Sequence, residues 1–113
     1  MGENKVETLR WVEDHLEMID QRILPADFQY ISYNSAASVA DGIRSMVVRG
    51  APAIGCAAAY GVALEALSLQ DASVDEFSKS MEYAFKILLQ SRPTAINLFW
   101  AIDRMRSKMN ENI

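Results

Sequence analysis

The hydrophobic pattern of the chain changes from a period of two to a period of three to four near residue 34. Apolar and polar side chains alternate imperfectly over 7–12 and 15–20, and aromatic and polar side chains alternate over 28–33. Alternation places successive side chains on opposite faces of a strand. We therefore predict a hairpin over the first two segments, with its turn at Glu13-Asp14-His15, and a third strand over 28–33.

Four helices are predicted after residue 34, because apolar side chains then recur every three or four positions. A residue suited to a helix start stands at the beginning of each one. The predicted helices and their markers are 35–46 with Asn34 or Ser35, 52–69 with Pro52, 73–90 with the capping-box pair Ser73 and Glu76, and 93–109 with Pro93-Thr94. The predicted fold class is therefore α+β, a small antiparallel β unit of about three strands followed by a bundle of about four helices.

The helix predicted over 52–69 is apolar on most sides, so we expect it in the centre of the fold. Small residues such as Gly55 recur along it and favour close approach of a neighbouring backbone. Glu65 interrupts the apolar run, which favours a buried helix over a membrane span. We also expect Cys56 to be a small buried residue, and Trp11 and Trp100 to belong to the core.

Composition narrows the function classes. With 113 residues, the chain is long enough for one domain with a core. A net charge of −4 and a pI of about 4.9 argue against a general nucleic-acid or anionic-membrane surface. Cys56 is the only cysteine, no cluster has metal-ligand spacing and no apolar leader precedes residue 20. We expect a cytoplasmic protein with no metal and no cofactor.

Residues 47–52 combine features of a phosphate-binding turn. Val47-Val48 leads into Arg49-Gly50, and Ala51-Pro52 begins the second predicted helix. Glycine allows close approach of a ligand, and the free N–H groups and the dipole at a helix start favour an anion. The guanidinium of Arg49 adds donors suited to phosphate. An ordinary loop entering a packed helix would have the same composition, so these residues alone leave both interpretations open.

Three sets of residues together resemble the methylthioribose-1-phosphate isomerase family, which acts in methionine salvage (methionine biosynthesis) and is related to the regulatory subunits of translation initiation factor 2B. The matching segments are 49–55 (RGAPAIG) with 58–61 (AAYG), 92–98 (RPTAINL) with Trp100-Ala101, and Leu9-Arg10-Trp11 with Asp20-Gln21 and Leu24-Pro25. They lie in the family's order and cover most of the chain.

The resemblance implies a substrate-binding role for four residues. Arg49, Gly50 and Ala51 resemble the family's substrate-binding turn, and Arg92 resembles its second contact with the phosphorylated sugar. Without the resemblance, we would expect Arg92 to pair with a carboxylate or with helix ends. Asn97 is expected to hydrogen-bond the loop that holds Arg92. No catalytic residue is assigned, because the family's catalytic cysteine and aspartate belong to a C-terminal domain and Cys56 does not match that position.

The family's Rossmann-like C-terminal domain has no counterpart here, so residues 1–113 are expected to form a single N-terminal domain. We expect this domain to bind and orient methylthioribose-1-phosphate for conversion to methylthioribulose-1-phosphate, and to be inactive alone. Its expected partners are the sugar phosphate, the C-terminal domain and a second copy in a homodimer, with no nucleic acid and no membrane. Three alternatives stay open: a non-catalytic ligand-binding module of the initiation-factor type, a fragment similar to ribose-1,5-bisphosphate isomerase, and a structural interaction domain.

Overall fold

The computed structural model describes residues 8–48, 50–92 and 95–111. Its first elements are β1 (Leu9–Val12), β2 (His15–Ile19) and β3 (Tyr30–Tyr33), which form one antiparallel sheet in that order. Leu9 is paired with Met18, and Ile19 with Tyr30. The predicted hairpin and third strand are confirmed within the described residues. His15 is not a turn residue but begins β2, because Glu13 and Asp14 complete the turn.

Four helices follow the sheet, as the pattern of the sequence predicts. They are α1 (Ala36–Arg44), α2 (Ala51–Ser68), α3 (Val74–Ser91) and α4 (Ile96–Glu111). The α+β fold class is therefore confirmed. α1 ends two residues before its predicted boundary, and the predicted start of α4 at Pro93-Thr94 lies outside the described residues.

Two helix starts are capped by their own side chains. The Ser35 hydroxyl accepts a hydrogen bond from the Ser38 N–H at 3.1 Å, and the Ser38 hydroxyl accepts from the Ser35 N–H at 3.2 Å. Ser73 and Glu76 form the same reciprocal box at the start of α3, with both bonds 3.2 Å long. These caps stabilise the helices by satisfying N–H groups that lack intrahelical acceptors. The caps predicted at Ser35 and Ser73 are confirmed.

α2 is the central helix and packs against the three other helices. Its small residues permit close contacts, because a Cβ atom added at Gly55 would lie 3.2 Å from the backbone oxygen of Asn97 in α4. A Cβ at Gly61 would lie 3.3 Å from Val39 in α1. The residues completely withdrawn from solvent in this core include Leu16, Met18, Val39, Ile43, Ala57, Ala58, Phe85, Leu88 and Ile102.

Three predicted core residues are not in the core. Cys56 is exposed, Trp100 is 65% exposed, and Trp11 is 36% exposed with its ring stacked on Tyr60 at 5.7 Å. The neighbouring elements leave part of the apolar surface of α2 uncovered. Trp100 lies on the side of α4 opposite the buried Leu98, because two residues turn a helix by about 200°.

By length and composition alone, α2 could cross a membrane. One side of it packs in the core through Ile54, Ala58 and Val62. Its Glu65 carboxylate accepts a hydrogen bond from the Ala36 N–H at 3.2 Å, at the start of α1. These contacts identify α2 as the core helix of this fold.

Candidate anion-binding site

The segment that leads into α2 is held by the end of α1. The Met46 N–H donates to the Ile43 carbonyl at 3.2 Å, and the Val47 N–H donates to the Gly42 carbonyl at 3.0 Å. Met46 has a φ of 69°, so the chain reverses through the left-handed region. This is the Schellman arrangement of a helix end, with methionine where glycine is usual. Its early closure explains why α1 ends at Arg44.

The start of α2 has no side-chain cap, in contrast to α1 and α3. Gly50 is the N-cap residue, with a φ of 96° and a ψ of 129°, and Pro52 occupies the first turn. The N–H groups of the first turn have no acceptor within the helix, and proline reduces their number by one. Ala51 and Pro52 are exposed. These free donors, together with the positive end of the helix dipole, suit an anion.

The structure describes three of the four predicted site residues. Gly50 and Ala51 lie at the uncapped start of α2. Arg92 follows the last residue of α3 and precedes α4, where its carbonyl accepts a hydrogen bond from the Ala95 N–H at 2.9 Å. Arg49 lies outside the described residues, so its predicted role stays a prediction.

The Arg92 guanidinium has an unusual environment. Its Nη1 atom is buried and has no hydrogen-bond partner among the described residues. Arg92 lines a cavity of about 260 Å³ together with residues that include Leu89, Ala95 and Phe99. A buried charged donor without an acceptor costs more free energy than an exposed one. The unpaired nitrogen therefore points to an acceptor, such as an anion, that the described residues do not supply.

The packing of α2 on α4 brings the two helix starts together. Gly55, in the second turn of α2, faces the backbone oxygen of Asn97 in the first turn of α4. Arg92 lies five residues before Asn97, at the same end of α4. The contact described for Asn97 involves its backbone, and the predicted hydrogen bond from its side chain to the Arg92 loop stays a prediction.

A larger surface cavity lies elsewhere among the described residues. It measures about 550 Å³ and is lined by residues of the hairpin and of the C-terminal end of α2, including His15, Asn34 and Ser68. Gly50, Ala51 and Arg92 do not line it. The volume of this cavity therefore does not identify the candidate anion site. That site is identified by N–H donors that have no acceptor within the helix.

The titratable groups with shifted pKa values lie near the sheet. A hydrogen bond from Arg10 lowers the pKa of Glu17, and a hydrogen bond from Arg22 lowers the pKa of Asp20. Burial raises the pKa of Tyr33. The two carboxylates are thus stabilised in their charged form by arginines, which is typical of structural ion pairs. The start of α2 offers donors for binding an anion, and the proton-transfer groups of a reaction are not assigned there.

One structural feature near this site was not predicted from the sequence. The Gln21 N–H, just beyond β2, donates a hydrogen bond to the Val47 carbonyl at 2.9 Å. The flanking residues Asp20 and Arg22 form an ion pair. The pattern of the sequence gives no signal for this contact, because it joins positions 26 residues apart through the backbone.

Comparison with known proteins gives concordant results. A sequence model of the initiation factor 2 subunit family matches residues 47–113. The chain is 60% identical to a methylthioribose-1-phosphate isomerase of Albidiferax ferrireducens, over 98% of this chain and 31% of that protein. It is 48% identical to the corresponding isomerase of Azotobacter vinelandii, over 96% of this chain and 30% of that protein. The chain thus spans about a third of the length of these curated relatives.

Two solved structures share the fold. The first is 5-methylthioribose 1-phosphate isomerase from Pyrococcus horikoshii, with a TM-score of 0.90, 40% identity and coverage of 96% of this chain and 30% of that chain. The second is the delta subunit of translation initiation factor eIF-2B from A. fulgidus, with a TM-score of 0.80, 40% identity and coverage of 88% of this chain and 29% of that chain. With more than half of its residues matched by the family model, the chain belongs to the initiation factor 2 subunit family.

Proposed function

We propose that residues 1–113 form the N-terminal, sugar-phosphate-binding domain of a methylthioribose-1-phosphate isomerase. The observation that carries this proposal is the buried Nη1 of Arg92, at the end of the bundle where α2 and α4 begin, which has no hydrogen-bond partner among the described residues. Relatives that carry this activity in their names are up to 60% identical to the chain. Two of the segments that carry the family resemblance, residues 49–55 and 92–98, adjoin these helix starts in the sequence.

Each proposed site residue has a binding role. The Ala51 N–H and the dipole of α2 attract the phosphate, and Gly50 lets the backbone approach it closely. Arg49, next to this helix start in the sequence, adds a guanidinium to the same anion. Arg92 supplies a second guanidinium, which forms charge-assisted hydrogen bonds with phosphate or hydroxyl oxygens.

In this proposal, the isomerisation requires the longer protein. The anomeric carbon of the substrate carries the phosphate, so isomerisation requires cleavage of the ring C–O bond and transfer of hydrogen between C2 and C1. Acid–base groups in a dry pocket would support that transfer. They are assigned to the part of the relatives that this chain does not cover, while the present domain binds and orients the sugar phosphate.

A binding titration tests the assignment. The chain is titrated with methylthioribose-1-phosphate by calorimetry, alongside Arg92→Ala, Arg92→Lys and the surface control Arg44→Ala. Losing a hydrogen bond to a charged group costs about 1.5–3 kcal/mol, so Arg92→Ala should weaken binding roughly tenfold or more. The affinity of Arg92→Lys should lie between those of wild type and Arg92→Ala, because lysine keeps the positive charge but lacks the planar set of guanidinium donors. Equal affinities for wild type and Arg92→Ala, or no binding by wild type, would contradict the proposal.

A turnover assay tests the division of roles. We expect no measurable isomerisation of methylthioribose-1-phosphate by the 113-residue chain alone, because the proposed binding residues include no acid–base pair. Robust turnover by this chain would overturn the assignment of catalysis to the remainder of the longer protein.

A second candidate function is a non-catalytic ligand-binding module. The family match and the similarity to the eIF-2B delta subunit favour it. Such a module would use the same helix start to bind a phosphorylated metabolite. Adding the chain in trans to a relative from which the matching third has been deleted separates the two candidates. Restored turnover supports the isomerase, and ligand binding without restored turnover supports the module.

A further inference from the structure

The connector after β2 contains a buried carboxylate held by its own neighbour. Asp20 is 5% exposed. Its Oδ1 accepts hydrogen bonds from the backbone N–H of Arg22 at 3.0 Å and from Nε of Arg22 at 2.9 Å, and its Oδ2 accepts from Nη2 at 2.9 Å. Three charge-assisted bonds between residues two positions apart fix a tight turn whose shape depends on both side chains.

This turn fixes the direction of the peptide between its two charged residues. The Asp20 N–H continues the sheet by donating to the Gln29 carbonyl at 2.8 Å. The next N–H, that of Gln21, points to the Val47 carbonyl instead, at 2.9 Å. The ion pair between Asp20 and Arg22 therefore flanks Gln21, whose N–H reaches across to the segment before α2.

Both backbone polar groups of Val47 form hydrogen bonds. Its N–H is bonded to the Gly42 carbonyl at the end of α1, and its carbonyl is bonded to Gln21. Val47 and Val48 are 2% and 0% exposed, so their side chains are also fixed by packing. Gly50 follows two residues after Val48 and starts α2 without a side-chain cap. The position of that helix start thus depends on where Val47 is anchored.

We propose that Asp20 and Arg22 are positioning residues for the anion-binding turn, acting through the hydrogen bond from Gln21 to Val47. The inference rests on the proposed function for its purpose, since the turn being positioned is the proposed phosphate site. The connector itself is mostly exposed from Arg22 to Gln29. Burying a carboxylate costs free energy. The connector that contains Asp20 is too exposed to form a core that this carboxylate could stabilise. The structural consequence of the carboxylate is the contact with Val47.

Amide hydrogen exchange tests the positioning directly. The variant is Asp20→Asn, which keeps the shape and weakens the ion pair. The matched control is Asp41→Asn, which removes the charge of an exposed carboxylate paired with Arg44 at 3.2 Å. We expect exchange at the Gln21 amide to accelerate on the order of tenfold in Asp20→Asn, with α3 core amides such as Phe85 unchanged. Asp41→Asn should leave both unchanged.

A phosphate titration of the same variants adds the functional readout. Asp20→Asn should bind inorganic phosphate severalfold more weakly than wild type, whereas Asp41→Asn should bind equally. If Asp20→Asn does not fold, Arg22→Gln takes its place with the same expectations, because it removes the guanidinium fork and keeps the carboxylate.

The outcomes separate this inference from the proposed function. Unchanged exchange at Gln21, or equal acceleration throughout α3, overturns the positioning role. Faster exchange at Gln21 with undiminished phosphate affinity also overturns it. Failure of wild type to bind phosphate contradicts the proposed function, and with it the purpose assigned to this contact, whatever the exchange rates show.

Discussion

The starts of α2 and α3 meet the same physical requirement in different ways. Both helices are 18 residues long, and both begin with N–H groups that have no intrahelical acceptor. At α3, Ser73 and Glu76 satisfy two of them in a reciprocal capping box. At α2, Gly50 provides no side chain and adopts a conformation that favours glycine.

In the proposed function, this difference separates a structural helix start from one that binds a ligand. The α3 start is exposed, is capped by its own residues and lies at the opposite end of that helix from Arg92. The α2 start is uncapped and lies in the part of the bundle where α4 also begins. Arg92, whose Nη1 has no hydrogen-bond partner among the described residues, precedes α4. In the proposed function, the N–H donors at the start of α2 are available to a ligand because no capping side chain satisfies them.

The largest expected effect comes from separating α2 and α4. Gly55→Val places a branched side chain where a single Cβ would already lie 3.2 Å from the Asn97 carbonyl. Overpacking of this kind costs about 1–3 kcal/mol of unfolding free energy, and it should also abolish phosphate binding by moving the two helix starts apart. Denaturant unfolding and calorimetry measure the two effects.

Cys56→Val is the matched control for Gly55→Val. Cys56 is the next residue of the same helix and is exposed, so valine there should change stability by less than about 0.5 kcal/mol. If Gly55→Val behaved like this control, the close contact between α2 and α4 would not be required for the site.

The next largest effect comes from the N-cap of α2. Gly50→Ala meets no atom within 4 Å, but its φ of 96° is strained for any residue with a side chain. Such strain costs about 1–3 kcal/mol, so stability and phosphate affinity should both fall. Unfolding and binding curves recorded on the same sample measure them. Unchanged affinity would show that the conformation of Gly50 does not shape the site.

A smaller effect is expected at the capped helix. Ser73→Ala removes the α3 box and should cost about 1 kcal/mol of unfolding free energy, because an N-cap hydroxyl is lost. Phosphate affinity should not change. Ser80→Ala, within α3, is the control and should leave stability equal or slightly higher, since alanine favours helix. Weaker phosphate binding by Ser73→Ala would remove the distinction between the two helix starts.

The smallest effect concerns the residues before α2. Met46 has a φ of 69° and is 42% exposed, so Met46→Gly should relieve strain and stabilise the chain by up to about 1 kcal/mol in thermal unfolding. Ser45→Gly, at a φ of −84°, should instead destabilise it through lost backbone restriction. If both variants destabilise equally, the left-handed conformation is not strained.

Local patterns in the sequence predicted most of the fold. Alternation identified the three strands, and capping residues such as Ser35 and Ser73 placed helix starts within one or two residues. The end of α1 was missed because its left-handed position is occupied by methionine rather than glycine. The exposure of Cys56 and Trp100 was missed because side-chain character does not show which side of a helix the other elements cover.

The candidate site could be predicted only in part. The glycine before Ala51-Pro52 and the arginine before Pro93 are visible in the sequence, and the family resemblance linked them. The close contact of Gly55 with Asn97 and the unpaired Nη1 of Arg92 depend on tertiary packing. The Asp20–Arg22 pair was missed because its consequence is a backbone contact far along the chain.

In the proposed function, the uncapped start of α2 binds an anion and the capped start of α3 does not. Titration of the ¹⁵N-labelled chain with inorganic phosphate, followed by amide chemical shifts, tests it most directly. We predict saturable shifts at Gly50, Ala51 and Ala53, with none at Asp75 and Glu76. Shifts of equal size at both helix starts, or no saturable shift at Ala51 and Ala53, would show that the start of α2 is not a specific anion site.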